Sequence, residues 1–290
     1  MARVLITGTS KGIGYDTTLL LARAGHEVVA TMRNPGASDL EKVAAKAKLP
    51  VTVLPLDVDD DASVADVFGT MGDSIDVLVN NAGIYSINVV EDESLEQFRR
   101  VMETNYFGAI RCIKQVLPAM RKRGSGCIIN VTSIAGRVAF PATSAYVASK
   151  FALESFSESL AQEVKGYGIK VALVEPGIID TAMATTNLPQ YDENTLYPHG
   201  RRIHAFFTNP EKPEALPILV AEMIRYVIES DDPRLRFPVG PDALPFLGWR
   251  GAVSDEDWVG LGGLLRDADY FERVFMDTGV DLRRPLPPAA

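Results

Sequence analysis

The sequence predicts an α/β fold, with a doubly wound and mostly parallel seven-stranded sheet that carries helices on both faces. Short apolar runs rich in β-branched residues alternate with stretches of helical periodicity over most of the chain. The runs are apolar throughout rather than alternating with polar residues, as expected for parallel strands buried on both faces. Right-handed crossovers between such strands wind helices over both faces of the sheet.

The elements follow in order along the chain. Predicted strands occupy residues 3–7, 27–31, 51–56, 76–79, 127–131, 170–174 and 236–239, and predicted helices occupy residues 13–24, 62–71, 95–121, 145–165 and 215–229. After Thr181 the pattern loosens into a loop at 182–213, and beyond Gly240 a proline- and glycine-rich tail begins, in which Ser254 can cap a helix. We therefore expect a single domain over 1–290, with this loop and a C-terminal extension at 241–290.

Composition excludes several classes of protein. The net charge of -9 disfavours nucleic acid as a partner. Cys112 and Cys127 lie in predicted core segments and favour a reducing compartment over a disulfide framework. His26, His199 and His204 have no metal-ligand spacing with them, so no metal site is expected. With no signal peptide and no run long enough to span a membrane, the expected location is cytoplasmic, without a membrane partner.

The loop after the first strand has the sequence TGTSKGIG, at residues 7–14. Gly8, Gly12 and Gly14 permit a tight turn and the close approach of a pyrophosphate, which the N-terminus of the next helix favours. Their G-x3-G-x-G spacing departs from the usual G-x-G-x-x-G fingerprint and also suits an ordinary turn. The position between first strand and first helix favours nucleotide binding in a Rossmann-type fold.

The end of the second strand carries the signal for the cofactor. It has the sequence Thr31-Met32-Arg33, without the carboxylate that accepts hydrogen bonds from the ribose of NAD. Arg33 can pair with a 2′-phosphate, and Lys11 supplies a second cation. The alternative is that both are solvated surface charges. The sequence favours NADP(H) over NAD(H).

Tyr146 and Lys150 are four residues apart on a predicted helix and so share one face. A neighbouring ammonium is expected to lower the pKa of the phenol, so that Tyr146 can act as a general acid for ketone reduction or a base for alcohol oxidation. Such a pair alone also arises by chance on surface helices. Ser133, which follows the predicted fifth strand, lies where the carboxyl ends of parallel strands collect ligands. Asn105 lies inside a predicted helix, where an amide is not a preferred residue.

Together these features resemble the short-chain dehydrogenase/reductase family. The matching segments follow the family's order and are residues 7–14, 57–58 (Asp-Val), 80–83 (Asn-Asn-Ala-Gly), Asn105, Ser133, Tyr146-x3-Lys150 and Pro176-Gly177-x3-Thr181. The chain departs from the family pattern in having Lys11 where many members have a small residue, and in a tail longer than that of a minimal member.

The resemblance implies a role for each residue of the site. Tyr146 is the acid or base, Lys150 lowers its pKa and binds the nicotinamide ribose, and Ser133 positions the carbonyl. Asn105 supports a proton relay through water and Lys150. The implied cofactor-binding residues are Gly8, Ser10, Lys11, Gly12, Ile13, Gly14, Arg33, Asp57, Val58, Asn81, Ala82, Gly83, Tyr146, Lys150, Pro176, Gly177, Ile179 and Thr181.

The resemblance also makes 182–213 the substrate loop. Its apolar residues, Met183, Leu188, Tyr191, Tyr197, Phe206 and Phe207, suggest an apolar or aromatic small molecule, although they can equally pack the loop onto the domain. Arg201 and Arg202 can recognise an acidic group, but a solvent-facing position is favoured. Family members commonly pair through the two long helices, here 95–121 and 145–165, so a homodimer or homotetramer is expected.

Two other functions remain open at this point. An NADP(H)-binding regulatory protein without turnover needs no proton donor, so Ser133, Tyr146 and Lys150 argue against it. A lyase or epimerase that uses nicotinamide transiently needs a larger C-terminal domain than this tail provides. The expected activity is the transfer of a hydride between NADP(H) and a carbonyl or secondary alcohol.

Overall fold

A computed structural model of the chain describes residues 1–183, 191, 194–208 and 215–281. Seven strands form one sheet: β1 (Arg3–Thr7), β2 (Glu27–Met32), β3 (Val51–Pro55), β4 (Val77–Asn80), β5 (Gly126–Val131), β6 (Ile169–Pro176) and β7 (Arg236–Val239). Their order is β3-β2-β1-β4-β5-β6-β7. Every neighbouring pair is parallel, so the predicted doubly wound sheet is confirmed and is parallel throughout rather than mostly so.

The helices of the described residues are α1 (Gly12–Arg23), α2 (Leu40–Lys46), α3 (Asp61–Met71), α4 (Leu95–Met102), α5 (Gly108–Arg123), α6 (Ser144–Val164), α7 (His199–Thr208), α8 (Pro217–Glu229), α9 (Ala243–Ala252), α10 (Asp255–Gly260) and α11 (Asp267–Thr278). None of them is both long and apolar enough to cross a membrane.

Each face of the sheet has its own hydrophobic core, because successive side chains of a strand point to opposite faces. On β1, Val4 and Ile6 pack in the core that α1 and α8 cover. Leu5, between them, packs in the core that α3, α5 and α6 cover. All three side chains are fully buried, which explains why the centre of the strand is continuously apolar.

The predicted helix at 95–121 is interrupted. Residues Glu103–Phe107 form a π-helical turn between α4 and α5, and Asn105 lies in the middle of it. Single π-helical turns of this kind are frequent at functional sites. The helical periodicity of the sequence gave no sign of the extra residue in the turn.

The C-terminal extension is more ordered than its composition suggests. It forms α9, α10 and α11, and Ser254 caps α10 as predicted. Helix α7 lies within the predicted loop. Pro245, one of the prolines of this tail, lies in the first turn of α9, where a helix tolerates proline. The residues of α7, α9 and α11 join a third hydrophobic core beside the sheet.

Candidate active site

A cavity of about 360 Å³ opens at the carboxyl edge of the sheet. The glycine loop, the ends of β2, β4, β5 and β6, and residues of α6 and α7 line it. Of the site residues expected from the sequence, eighteen line this cavity: Gly8, Ser10, Lys11, Gly12, Ile13, Arg33, Asp57, Val58, Asn81, Ala82, Gly83, Ser133, Tyr146, Lys150, Pro176, Gly177, Ile179 and Thr181. Gly14 and Asn105 lie behind its wall.

The glycine loop lies tightly against the end of β4. Gly8 has φ of +73°, and a Cβ there would lie 2.7 Å from the Cα of Ala82. A Cβ on Gly14 would lie 2.5 Å from the carbonyl oxygen of Gly8. The amide of Asn81 fixes the contact by donating to the carbonyl oxygens of Thr7 and Gly8, both at 2.9 Å. Gly14 is therefore needed for close packing of the loop rather than for contact with a ligand.

Residues at the N-terminus of α1 line the cavity. Among the described side chains none caps this helix at Lys11, and its first turn holds no acidic residue. Uncapped backbone N–H groups and the positive end of the helix dipole suit an anion. The loop therefore fits a pyrophosphate.

The far end of the cavity, beside β2 and β3, combines charges of both signs. Arg33 is exposed and lines the cavity together with Asp57 and Asp59. Burial raises the pKa of Asp59, while a hydrogen bond from Thr104 and the charge of Arg33 oppose that rise. Asp59 was not predicted from the sequence, since nothing in the spacing of the two residues shows that it lies near Arg33.

Three polar side chains meet at the opposite end of the cavity. The hydroxyl of Ser133 donates to the carbonyl oxygen of Pro176 at 3.3 Å, and a hydrogen bond joins it to the hydroxyl of Tyr146. The Nζ atom of Lys150 lies 5.6 Å from the centroid of the Tyr146 ring and donates to the carbonyl oxygen of Val131 at 2.9 Å. The predicted constellation is thus assembled at one point.

Asn105 lies outside the cavity lining and makes hydrogen bonds to segments that carry residues of the site. Its side-chain oxygen accepts from the backbone N–H of Ile84 at 2.8 Å, and its amide donates to the carbonyl oxygen of Ile84 at 3.0 Å and to the hydroxyl of Ser149 at 2.9 Å. The π-helical turn brings this amide between the end of β4 and α6, and only 1% of the residue is exposed. Asn105 therefore ties together the two segments that carry Gly83 and Lys150.

The pKa of Tyr146 is raised in the structure, although Lys150 was expected to lower it. Burial raises the pKa of Tyr146 to about 12, and the hydrogen bond with Ser133 only partly offsets it. Burial also lowers the pKa of Lys150 to about 8, against the opposing charge of Glu154. Desolvation of the phenol thus outweighs the neighbouring amine, which is itself directed to Val131.

Comparisons with known proteins agree with this geometry. Residues 2–192 match the family model described as short chain dehydrogenase. The chain belongs to the short-chain dehydrogenase/reductase family. It is 38% identical to an uncharacterized oxidoreductase, YusZ, of Bacillus subtilis, over 81% of this chain and 88% of that protein. It is also 38% identical to retinol dehydrogenase 8 of Bos taurus, over 80% of each chain.

A short chain dehydrogenase from Burkholderia cenocepacia, solved in complex with NADP, superposes with a TM-score of 0.72. It is 25% identical to this chain, and the match covers 91% of this chain and 98% of the other. As a member of the short-chain dehydrogenase/reductase family, the protein is an oxidoreductase whose family binds a nicotinamide cofactor and acts on small molecules.

Beyond Tyr146, this short-chain dehydrogenase/reductase has an apolar end to its cavity. We use the term apolar wall for Tyr85, Phe140, Ile203, Phe206, Phe207 and Phe246, all of which line it. Tyr85, which follows the Asn-Asn-Ala-Gly segment directly after Ile84, was missed from the sequence, because a single aromatic residue in a loop has no pattern.

The apolar residues predicted in the substrate loop divide into two groups. Met183, Phe206 and Phe207 line the cavity, whereas Tyr191 packs against His204 and the exposed Tyr197 donates to Glu91. Leu188 lies outside the described residues.

The favoured interpretation of Arg202 as a solvent-facing residue is wrong. Its side chain is 1% exposed and pairs with Asp267, which Arg201 also contacts. Neither arginine lines the cavity, so the structure gives neither of them a role in recognising an acidic ligand there. Among the described residues no group of three histidine, cysteine, aspartate or glutamate side chains is placed to hold a metal ion.

Proposed function

We propose that the protein is an NADP(H)-dependent oxidoreductase that transfers a hydride between nicotinamide and the carbonyl or secondary alcohol of an apolar or aromatic small molecule. One observation carries this proposal. The hydrogen-bonded hydroxyls of Tyr146 and Ser133, with Lys150 beside them, line the same cavity as the glycine loop and Arg33. A proton donor and a nucleotide site thus share one space.

The cofactor-binding residues that line the cavity keep the roles that the family resemblance implies. The uncapped N-terminus of α1 would hold the pyrophosphate, and Lys150 the nicotinamide ribose. Arg33 and Lys11 both line the cavity and are exposed, so their charges are available to a 2′-phosphate. The relative from Burkholderia cenocepacia that was solved with NADP supports this preference.

The hydride comes from the nicotinamide or returns to it, and the chain supplies the proton and the geometry. With a pKa of about 12, the Tyr146 hydroxyl stays protonated at neutral pH and can donate to a carbonyl oxygen as that oxygen gains charge. Ser133 would hold the same oxygen, since its hydroxyl lies within hydrogen-bonding distance of Tyr146. Asn105 would hold the backbone at Ile84 and α6 in place around them.

The apolar wall supports the proposed class of substrate. Its residues offer aromatic and aliphatic surface beyond Tyr146. Contact with this surface would stabilise the binding of a substrate that carries an apolar group next to its carbonyl. Retinol dehydrogenase 8, one of the relatives, is named for an apolar alcohol of this kind. We place the substrate loop at 182–213 and assign the extension at 241–290 to the same single domain.

We further propose a homodimer or homotetramer that forms through α4, α5 and α6. Leu95, Phe107 and Phe151 lie on these helices or on the turn between them, and they are 70%, 45% and 41% exposed. A partner subunit would cover this apolar surface. Cys112 and Cys127 are both free thiols, which fits the expected cytoplasmic location.

The experiment is a scan of NADPH and NADH consumption by the purified protein over a panel of carbonyl compounds, with fluorescence titration of each nucleotide in parallel. We expect turnover of aromatic ketones and binding of NADPH at least about tenfold tighter than NADH. Binding without consumption would instead indicate a regulatory protein. Product without net change in the cofactor would indicate an epimerase or lyase.

A further inference from the structure

Helix α7 joins the C-terminal extension to the apolar wall, to which the extension itself contributes Phe246 of α9. Helix α7 carries three residues of that wall, Ile203, Phe206 and Phe207, and also carries Arg202. The side chain of Arg202 is buried and makes all of its described polar contacts with residues 264–267, which lead into α11. The helix therefore joins the cavity to the extension.

The contacts of Arg202 are numerous and short. Its Nε atom donates to Asp267 at 2.7 Å, and its Nη2 atom donates to the carbonyl oxygens of Leu264 and Leu265 at 2.7 and 2.9 Å. Its guanidinium carbon lies 4.6 Å from the ring centroid of Tyr270. A planar guanidinium can make this set of bonds at once, whereas an ammonium cannot.

Asp267 is held in its charged form beside Arg202. Burial raises the pKa of Asp267, but the hydrogen bonds and charges of Arg201 and Arg202 outweigh burial and hold it below its ordinary value. Asp267 also lies in the first turn of α11, where the helix dipole favours a negative charge. A buried arginine whose aspartate is removed would be left as an unpaired charge, so the two residues depend on each other.

The extension also packs directly against the residues of α7 in the apolar wall. Phe206 packs against Phe246 of α9 and Phe271 of α11, with ring centroids 6.2 and 6.0 Å apart. Phe140 packs against Phe246 at 5.4 Å. Phe271 is buried and does not line the cavity, so it supports Phe206 from behind.

We infer that the Arg202–Asp267 pair is a positioning device, which fixes α7 on the C-terminal extension and so determines which substrates fit against the apolar wall. This inference rests on the proposed function. The pair acts through Phe206 and Phe207 and touches neither the glycine loop nor Tyr146. It therefore sets the affinity for bulky apolar substrates and leaves nucleotide binding unchanged.

The test compares Arg202→Lys and Asp267→Asn with wild type, using 2-acetylnaphthalene and 2-butanone as a bulky and a small ketone. We expect KM for 2-acetylnaphthalene to rise about tenfold or more, while kcat/KM for 2-butanone and the Kd for NADPH stay within about twofold. Arg266→Lys is the matched control, because Arg266 pairs with Asp269 in the same segment but is 81% exposed. An equal rise in KM for both ketones, or no rise, would overturn the inference.

A second measurement does not depend on turnover. Amide hydrogen exchange in residues 199–208 should accelerate about tenfold or more in Arg202→Lys and stay unchanged in Arg266→Lys. If none of the carbonyl compounds tested makes wild type consume NADPH, the proposed function fails. The exchange measurement still decides the role of the Arg202–Asp267 pair in that case. Unchanged exchange in Arg202→Lys would show that the pair does not fix α7.

Discussion

The ring of Tyr85 packs edge-on against the ring of Tyr146, with 4.5 Å between their centroids and 67° between their planes. The hydroxyl of Tyr85 forms a hydrogen bond with Thr143, directly before α6, and its other side packs on Phe207. Burial raises the pKa of Tyr85 well above that of a free phenol, so it stays neutral. Tyr85 thus holds the proposed proton donor in place and lies in contact with both Tyr146 and Phe207.

We predict that Tyr85→Ala lowers kcat about tenfold or more, because the ring of Tyr146 loses its lateral support and a small displacement of a catalytic group is costly. Tyr85→Phe keeps the ring contact and loses only the bond to Thr143. It should therefore retain kcat within about threefold of wild type. Steady-state kinetics with an aromatic ketone checks both variants. Equal losses in the two would assign the effect to the hydroxyl instead.

Arg33 provides a test of nucleotide preference. Because a hydrogen bond to a charged group contributes about 1.5–3 kcal/mol, Arg33→Ala should weaken NADPH binding about 10- to 100-fold. NADH has no 2′-phosphate, so its Kd should change little. Arg23→Ala, at the exposed end of α1, is the control. Fluorescence titration measures both constants, and a similar loss for NADPH and NADH would argue against recognition of the 2′-phosphate.

We predict that ionisation of Glu175 makes the free energy of unfolding depend on pH. It is fully buried at the end of β6, where burial and the charge of Glu154 raise its pKa to about 7, against Arg137 and Arg236. The unfolded chain ionises this group near pH 4.5, so the folded state binds more protons between pH 4.5 and 7. Stability from this group is therefore present below pH 4.5 and is lost as the pH rises to 7.

Glu175→Gln mimics the protonated form and should remove this loss. At pH 8.5 the variant should exceed wild type in free energy of unfolding by up to about 3 kcal/mol, with a smaller difference at pH 5. Glu158→Gln is the control, since Glu158 also pairs with Arg236 but its side chain is 56% exposed. Urea denaturation at both pH values measures the difference. A Glu175→Gln variant less stable than wild type at pH 8.5 would show that the ionised form is favoured.

Much of the fold was predictable because its signals are local. Strands buried on both faces are continuous apolar runs, and the carboxyl edge of a parallel sheet collects the residues that follow them. Gly8 and Ser133, which follow the first and fifth strands, were therefore predicted to lie at one edge, and they do line one cavity together with Tyr146 of α6. Arg33 lines the same cavity. This position is needed if Arg33 is to bind a 2′-phosphate, as the sequence of the second strand suggested.

The remainder depends on contacts between distant parts of the chain. Arg202 and Asp267 are 65 residues apart, so nothing near Arg202 shows that it is buried. The pKa of Tyr146 follows from burial, which the sequence does not give, whereas the spacing to Lys150 is visible and suggested the opposite direction. Tyr85 is a lone aromatic residue in a loop, and only the fold places it against Tyr146.

The most direct test of the account is the Tyr146→Phe variant, measured for both NADPH binding and carbonyl turnover. Removal of the hydroxyl should lower kcat about 100- to 10,000-fold and leave the Kd for NADPH within about twofold of wild type. Tyr167→Phe, at a half-exposed position beyond α6, should change neither. A Tyr146→Phe enzyme that turns over at the wild-type rate would contradict the assignment of Tyr146 as the proton donor.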